Sequence, residues 1–291
     1  MQIAFHIGAH CTDDDKLLKC LLKNKGKLAS DGVIIPGPGR YRKLVRETVA
    51  SLNNQPASEE TQEALLDAII DEDSAGRLIL TNENFICNIP RIFEHQNLYG
   101  AAAEKVVGLC QLFPSAEVEL FLAVRNPATF LPALAARADD RTHEQLLHNT
   151  NPTTLLWSEL AHRIRMAAPN AALTIWANED TPLIWSELLH ELAGIEPHDA
   201  LNGEFDLLEE IMSKEGIRRF RSYMASHPPQ TEIQKRRVIA AFLDKFALED
   251  EIEVELDLPG WTDEYVNALT ELYEEDLFTI QRMPGVNFIS P

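Results

Sequence analysis

Short apolar runs alternate along the chain with longer stretches in which apolar residues recur every three or four positions. The runs at residues 2–7, 33–35, 77–81, 118–124 and 173–176 are short and nearly continuous, which predicts strands buried on both faces. Residues 12–32 place Leu17, Leu18, Leu21, Leu22 and Leu28 on one face at helical spacing, with Thr12 as N-cap and Gly26 or Gly32 as stop. Further helices are predicted over 41–52, 59–70, 98–113, 128–138, 153–168 and 182–193. Strand and helix alternate at least four times, the pattern of parallel βαβ units and of a sheet covered by helices on both faces. Beyond about residue 205 no strand is predicted, and 207–226, 232–245 and 262–283 read as helices. The expected architecture is an α/β body over 1–205 and a helical C-terminal annex over 206–291, packed as a single structural unit.

Composition narrows the classes. The 291 residues include 46 acids against 26 bases, a formal net charge of −20. A general nucleic-acid binder needs a basic face, so that class is not expected. The charge is uneven: residues 1–50 hold nine Lys/Arg against five Asp/Glu, while residues 249–257 are an acidic run that reads as a solvated connector. No apolar run approaches the ~20 residues that span a bilayer. The start, MQIAFHIGAH, lacks a basic n-region and a cleavage site, so a cytoplasmic protein without a signal peptide is expected. Cys11, Cys20, Cys87 and Cys110 form no C-x-x-C pair and suit neither a zinc site nor a disulfide framework. There is no G-x-S-x-G, no H-E-x-x-H and no Walker A lysine, and His143 and His148 read as surface residues.

Ligands of open parallel sheets bind at the carboxyl ends of the strands. The first such end reads HIGAHCTDDDKLL, a strand, a glycine turn and a helix start. This is the geometry that cradles phosphate on free N–H groups and the positive end of a helix dipole. Here three carboxylates follow the turn. They read as caps for the helix's own N–H groups, with Asp15 paired to Lys19 four residues on. A divalent cation on Asp13, Asp14 and Asp15 is the lesser alternative, because adjacent acids on one helical turn diverge. A thiol activated at the helix start, Cys11 beside His10, is a minor one, opposed by the three aspartates. The other informative ends are LFLAVRNPATFLPALAAR (120–137), LILTNENF (78–85) and TIWANEDTPLIWSELLHELAGIE (174–196), together with PGPGRYRKLVRE at 36–47.

From Ile3 to about Glu196 these segments, in this order, resemble the sulfotransferases. The resemblance implies a three-layer α/β/α fold of the P-loop NTPase type, with a mainly parallel sheet. Gly8, Ala9, His10, Cys11 and Thr12 fall on the family's 5′-phosphosulfate loop, which in bacterial members often reads G-A-H-K-T-G-T-T. Cys11 stands at the lysine position, and Asp13, Asp14 and Asp15 stand at the glycine and hydroxyl positions. Arg125 matches the arginine that binds the donor's 3′-phosphate; the partner serine, eight residues on, is Ala133. Glu83 matches an acid near the acceptor pocket, and Glu179 and Asp180 match an acidic pair. The tail, YEEDLFTIQRMPGVNF, also resembles bacterial members. The expected function is therefore a sulfotransferase-like protein that has lost donor binding and sulfuryl transfer, with no cofactor, and that binds another small molecule or a protein. The alternative is an active enzyme that uses 3′-phosphoadenosine 5′-phosphosulfate. Arg125 with Arg40, Arg42 and Lys43 would hold the donor, and Glu83 or His10 would serve as base.

Overall fold

Alternate residues of the central strands go to opposite cores. In the computed structural model, which describes residues 1–72, 74–138, 142–197, 199–252 and 258–291, Ile3, Phe5, Leu120, Leu122 and Val124 enter one buried cluster. Ala4, Phe121 and Ala123 enter the other. The strands are β1 Gln2–His6, β2 Val33–Ile34, β3 Arg77–Thr81, β4 Glu117–Val124, β5 Ala172–Ala177 and β6 Val286–Ile289. They form one all-parallel sheet in the order β2-β3-β1-β4-β5-β6.

The helices are α1 Lys16–Lys23, α2 Lys25–Ser30, α3 Pro38–Leu52, α4 Glu59–Ile69, α5 Ala102–Gln111, α6 Pro127–Arg137, α7 His143–Leu147, α8 Trp157–Ala167, α9 Thr181–Ala193, α10 Asp206–Ile211, α11 Lys214–Ser226, α12 Glu232–Phe246, α13 Glu249–Ile252 and α14 Asp263–Gln281. Apolar residues of α3, α5, α6, α8 and α14 cover one sheet face. Those of α1 and α9 cover the other. The chain thus leaves β1 toward one face and leaves its neighbours β3 and β4 toward the opposite face. This divergence opens a crevice at the carboxyl end of β1.

The expected α/β class and the parallel, double-faced sheet are observed. Three expectations are corrected. Strands do not stop near residue 205: the apolar end of the tail is β6, which pairs with β5 at Leu173 and Val286. The helix expected over 12–32 is two helices. Asn24 breaks it, because its amide serves Cys20 O and Asn202 O and its carbonyl accepts from the Asn202 amide. Finally, the helix expected over 98–113 begins only at Ala102, after two short 3₁₀ turns. Residues 253–257 of the acidic run, and the side chain of His143, lie outside the described residues.

The tail also holds the body together. Asp276 of α14 accepts from the Trp157 and Ser158 amides at the start of α8, supplying the cap which that helix lacks in its own sequence. At the other edge β2 spans only two residues, so Thr81 at the end of β3 has no strand on its outer side. The buried Tyr41 hydroxyl fills the gap, donating to Thr81 O (2.7 Å) and accepting from Thr81 N (3.0 Å). Arg42 Nε donates to the same carbonyl. Tyr41→Phe therefore leaves the Thr81 amide buried and unpaired, and chemical denaturation is expected to report a loss of about 1–3 kcal/mol.

Candidate functional site

The crevice is built by the loops after β1, β3, β4 and β5. Gly8 turns the chain with φ near +115°, a region that favours glycine, and the Gly8–Ala9 peptide is cis. Residues 7–9 continue alongside β4 beyond the end of β1: Ile7 N bonds Phe121 O, Ala9 N bonds Ala123 O, and Ala123 N bonds Gly8 O. The Ala9 amide is therefore spent on the sheet. The His10 amide donates to the Tyr99 hydroxyl at 2.9 Å, and the Cys11 backbone lies against the Glu83 carboxylate and favours its charged form. At the helix, the Leu17 amide donates to Asp13 Oδ2 at 3.2 Å. The amides of Thr12, Asp13, Asp14 and Asp15 have no partner among the described residues.

The three aspartates do not act alike. Only Asp13 folds back onto the helix. Asp15, which occupies the N-cap position in left-handed conformation without capping, binds Arg42 through both oxygens, at 3.0 and 2.5 Å. Asp14 pairs with Arg137 at the end of α6, and the same guanidinium reaches Glu83 at 3.3 Å. The expected Asp15–Lys19 pair is thus replaced by a longer-range one, and Lys19 instead donates to Asp14 O. The expected cap, Thr12, turns away from the helix and donates to Ala9 O. The carboxylates disperse onto different partners. Among the described residues no group of three or more His, Cys, Asp or Glu is arranged to hold a metal ion.

Arg125 enters the crevice from the end of β4. Its guanidinium donates to Cys11 O and to Thr129 Oγ1, while Trp157 Nε1 fixes its carbonyl at 2.9 Å. Ala133 packs partly buried against the core. Glu179, after β5, accepts from the Asn126 amide and from the Tyr273 hydroxyl, both at 2.8 Å. It joins the start of α6 to α14. Arg40 pairs with Asp71 outside the crevice.

Burial sets the proton states. His10 is fully buried; Nδ1 lies 2.8 Å from the Tyr99 hydroxyl and Nε2 lies 3.3 Å from Asn84 Oδ1. Because Asn84 Oδ1 only accepts, Nε2 carries the proton and Nδ1 accepts from Tyr99. Burial pulls the His10 pKa down to about 4, so the ring is neutral at pH 7 with both nitrogens engaged. Burial pushes the half-buried Glu83 carboxyl above the usual carboxylate range, and likewise raises the Cys11 thiol. A raised thiol pKa is the opposite of what an activated cysteine needs. Asp180 is pushed up to about 6 by burial and by the neighbouring Glu179 charge.

Arg137, Asn84, Tyr99 and Tyr273 complete the site and were not singled out from the sequence. Arg137 closes a helix with a basic last turn, a common position for an arginine, and nothing local marks it as a partner of residue 14. A scan against protein-family models finds no match, and neither the curated proteins nor the solved structures contain a significant match.

Two pH effects follow. Unfolded His10 takes up a proton near pH 6.5 and folded His10 near 4, so its contribution is complete above 6.5. Up to about 3 kcal/mol is lost as the pH falls to 4. The His10 ring resonances in a proton–nitrogen NMR titration are expected to stay fixed from pH 8 to 5. Asp180 has the opposite sign: its raised pKa makes stability fall as the pH rises from about 4 through 6. Asp180→Asn is expected to raise the melting temperature at pH 7 and to leave it unchanged at pH 4.

Proposed function

We propose that this chain is a sulfotransferase-like protein of the P-loop type that binds a ligand or partner and no longer transfers a sulfuryl group. The carrying observation is the state of the β1 corner, whose anion-binding capacity is taken up from within. The Tyr99 hydroxyl and Asp13 hold the His10 and Leu17 amides, and the Glu83 carboxylate lies against the Cys11 backbone. Asp14 and Asp15 hold Arg137 and Arg42. Each charge-assisted contact that a donor phosphate fails to make costs about 1.5–3 kcal/mol. Several such losses, with Cys11 in place of a lysine and added like charge, weaken donor binding by several orders of magnitude.

One observation favours the second reading, an active enzyme with a rebuilt donor site. The amides of Thr12 to Asp15 have no partner among the described residues, and Glu83 has the raised carboxyl of a general base. Calorimetry with 3′-phosphoadenosine 5′-phosphate separates the two. No binding at millimolar nucleotide is expected; micromolar binding at the corner overturns the proposal. In Asp14→Asn/Asp15→Asn the freed arginines are expected to strengthen phosphate binding at least tenfold, and an unchanged affinity would mean that the aspartates do not block the corner.

A further inference from the structure

Next to the filled corner, and sharing Arg42 with it, lies an open cleft of about 680 Å³ between α3, α5 and the segment after β3. We propose that this cleft binds a small organic anion with an apolar body: a carboxylate, sulfate ester or phosphate ester of an aryl or alkyl group. The inference deepens the ligand-binding reading above by giving it a site and a ligand class.

Charge is the first support. Five cations line the cleft, Arg42, Lys43, Arg46, Arg91 and Lys105, and no carboxylate is among the described lining residues. This concentration occurs in a chain of net charge −20. An anion approaching the molecule is repelled on average, so only such a local concentration of positive charge draws it in. Most of these cations are loosely engaged. Arg46 is exposed and has no ion pair or hydrogen bond among the described residues. Lys43 meets Glu47 only at 3.8 Å, with both side chains largely exposed. Lys105 and Arg91 pair with Glu104 and Glu94, neighbours on their own segments. Exposed pairs of this kind are worth ~0–1 kcal/mol and yield readily to a better partner.

Shape and lining give the rest of the ligand. The volume falls in the ~300–1,000 Å³ range of small-molecule sites. Below the cationic rim the surface is apolar, with Val45, Val49, Phe85 and Leu109 all buried. An inorganic ion would engage the rim alone, whereas an aryl or alkyl body also packs on Ala50 and the stems of Lys43 and Arg46, which the cleft exposes above that floor. The amides of Asn82 and Asn88 at the end of β3 can hydrogen-bond polar groups on the same ligand.

The test uses 8-anilinonaphthalene-1-sulfonate and its neutral counterpart N-phenyl-1-naphthylamine, followed by fluorescence. The sulfonate is expected to saturate one site, to weaken as salt rises, and to lose at least tenfold in affinity in Lys43→Glu/Arg46→Glu. The neutral probe is expected to bind at least tenfold more weakly than the sulfonate and equally to both proteins. A smaller loss in the variant, comparable binding of the neutral probe, or no saturable binding overturns the proposal. Both substitutions lie on the exposed side of α3, and an unchanged melting temperature checks the fold. If that variant melts early, Lys105→Glu on the opposite wall makes the same demand. Titrating 3′-phosphoadenosine 5′-phosphate into the double variant keeps the two proposals apart. Nucleotide binding that survives in the variant belongs to the corner and overturns the loss of donor binding alone, while binding that disappears belongs to the cleft.

Discussion

A helix that starts at the carboxyl edge of a parallel sheet presents unpaired N–H groups and the positive end of its dipole, and something negative has to stand before them. The arrangement of this crevice follows from what was placed there. Asp13 occupies the helix, and the remaining carboxylates of the loop collect the guanidiniums brought in by α3 and by the end of α6. Those contacts fix Arg42 against β3 and hold α6 close to the β1 loop. Arg125, left without a carboxylate, settles on the Cys11 carbonyl. The corner has become a joint where four elements meet, and its charges neutralise one another.

Much of this was legible in the sequence, and the rest was hidden for identifiable reasons. The central strands could be read because both faces are buried, so their middle positions are mostly apolar. β6 could not: it is a four-residue edge strand in which only Ile289 is buried, and it follows a long helix without any turn signal except Gly285. The break at Asn24 was invisible because the groups that satisfy it come from residue 202. At the site, the sequence showed three consecutive carboxylates following the glycine turn. Propensity then suggested local partners, Lys19 and the helix's own amides. Longer-range arginines won for two of the three: Arg42 grips Asp15 with a bidentate fork that outcompetes a flexible lysine, and Arg137 divides its guanidinium between Asp14 and Glu83. Nothing about Arg137 in isolation could have shown that.

The same distribution separates two neighbouring regions of opposite character. In the corner, acids and bases are matched and partly withdrawn from solvent. In the cleft beside it, cations stand without carboxylates in the described lining. Arg42 belongs to both, and its charge is committed to Asp15 through both carboxylate oxygens. The start of α3 at Arg42 is therefore electrically quiet, while Lys43 and Arg46 further along the same helix carry most of the field. The chain's net charge of −20 sharpens that contrast, because an anion is repelled on average elsewhere.

The route of the chain after α9 has a consequence of its own. Apolar residues of α10, α11 and α12 form a small cluster around Phe220 and Met212. The chain then returns to the body as α14 and β6, where Asp276 caps α8 and β6 extends the sheet. Topologically α10 through α13 are a loop whose two ends are both clamped to the same rigid layer. Loop-closure entropy grows only with the logarithm of length, so the body tolerates wide variation in what fills that span. A cluster this small can also open as its own cooperative unit while the sheet stays closed. Variation is easiest at the exposed turn between α11 and α12, because α12 is itself tied to α9 through Lys235 with Ser186 and Arg236 with Glu187, and the returning strand must still find its place beside β5.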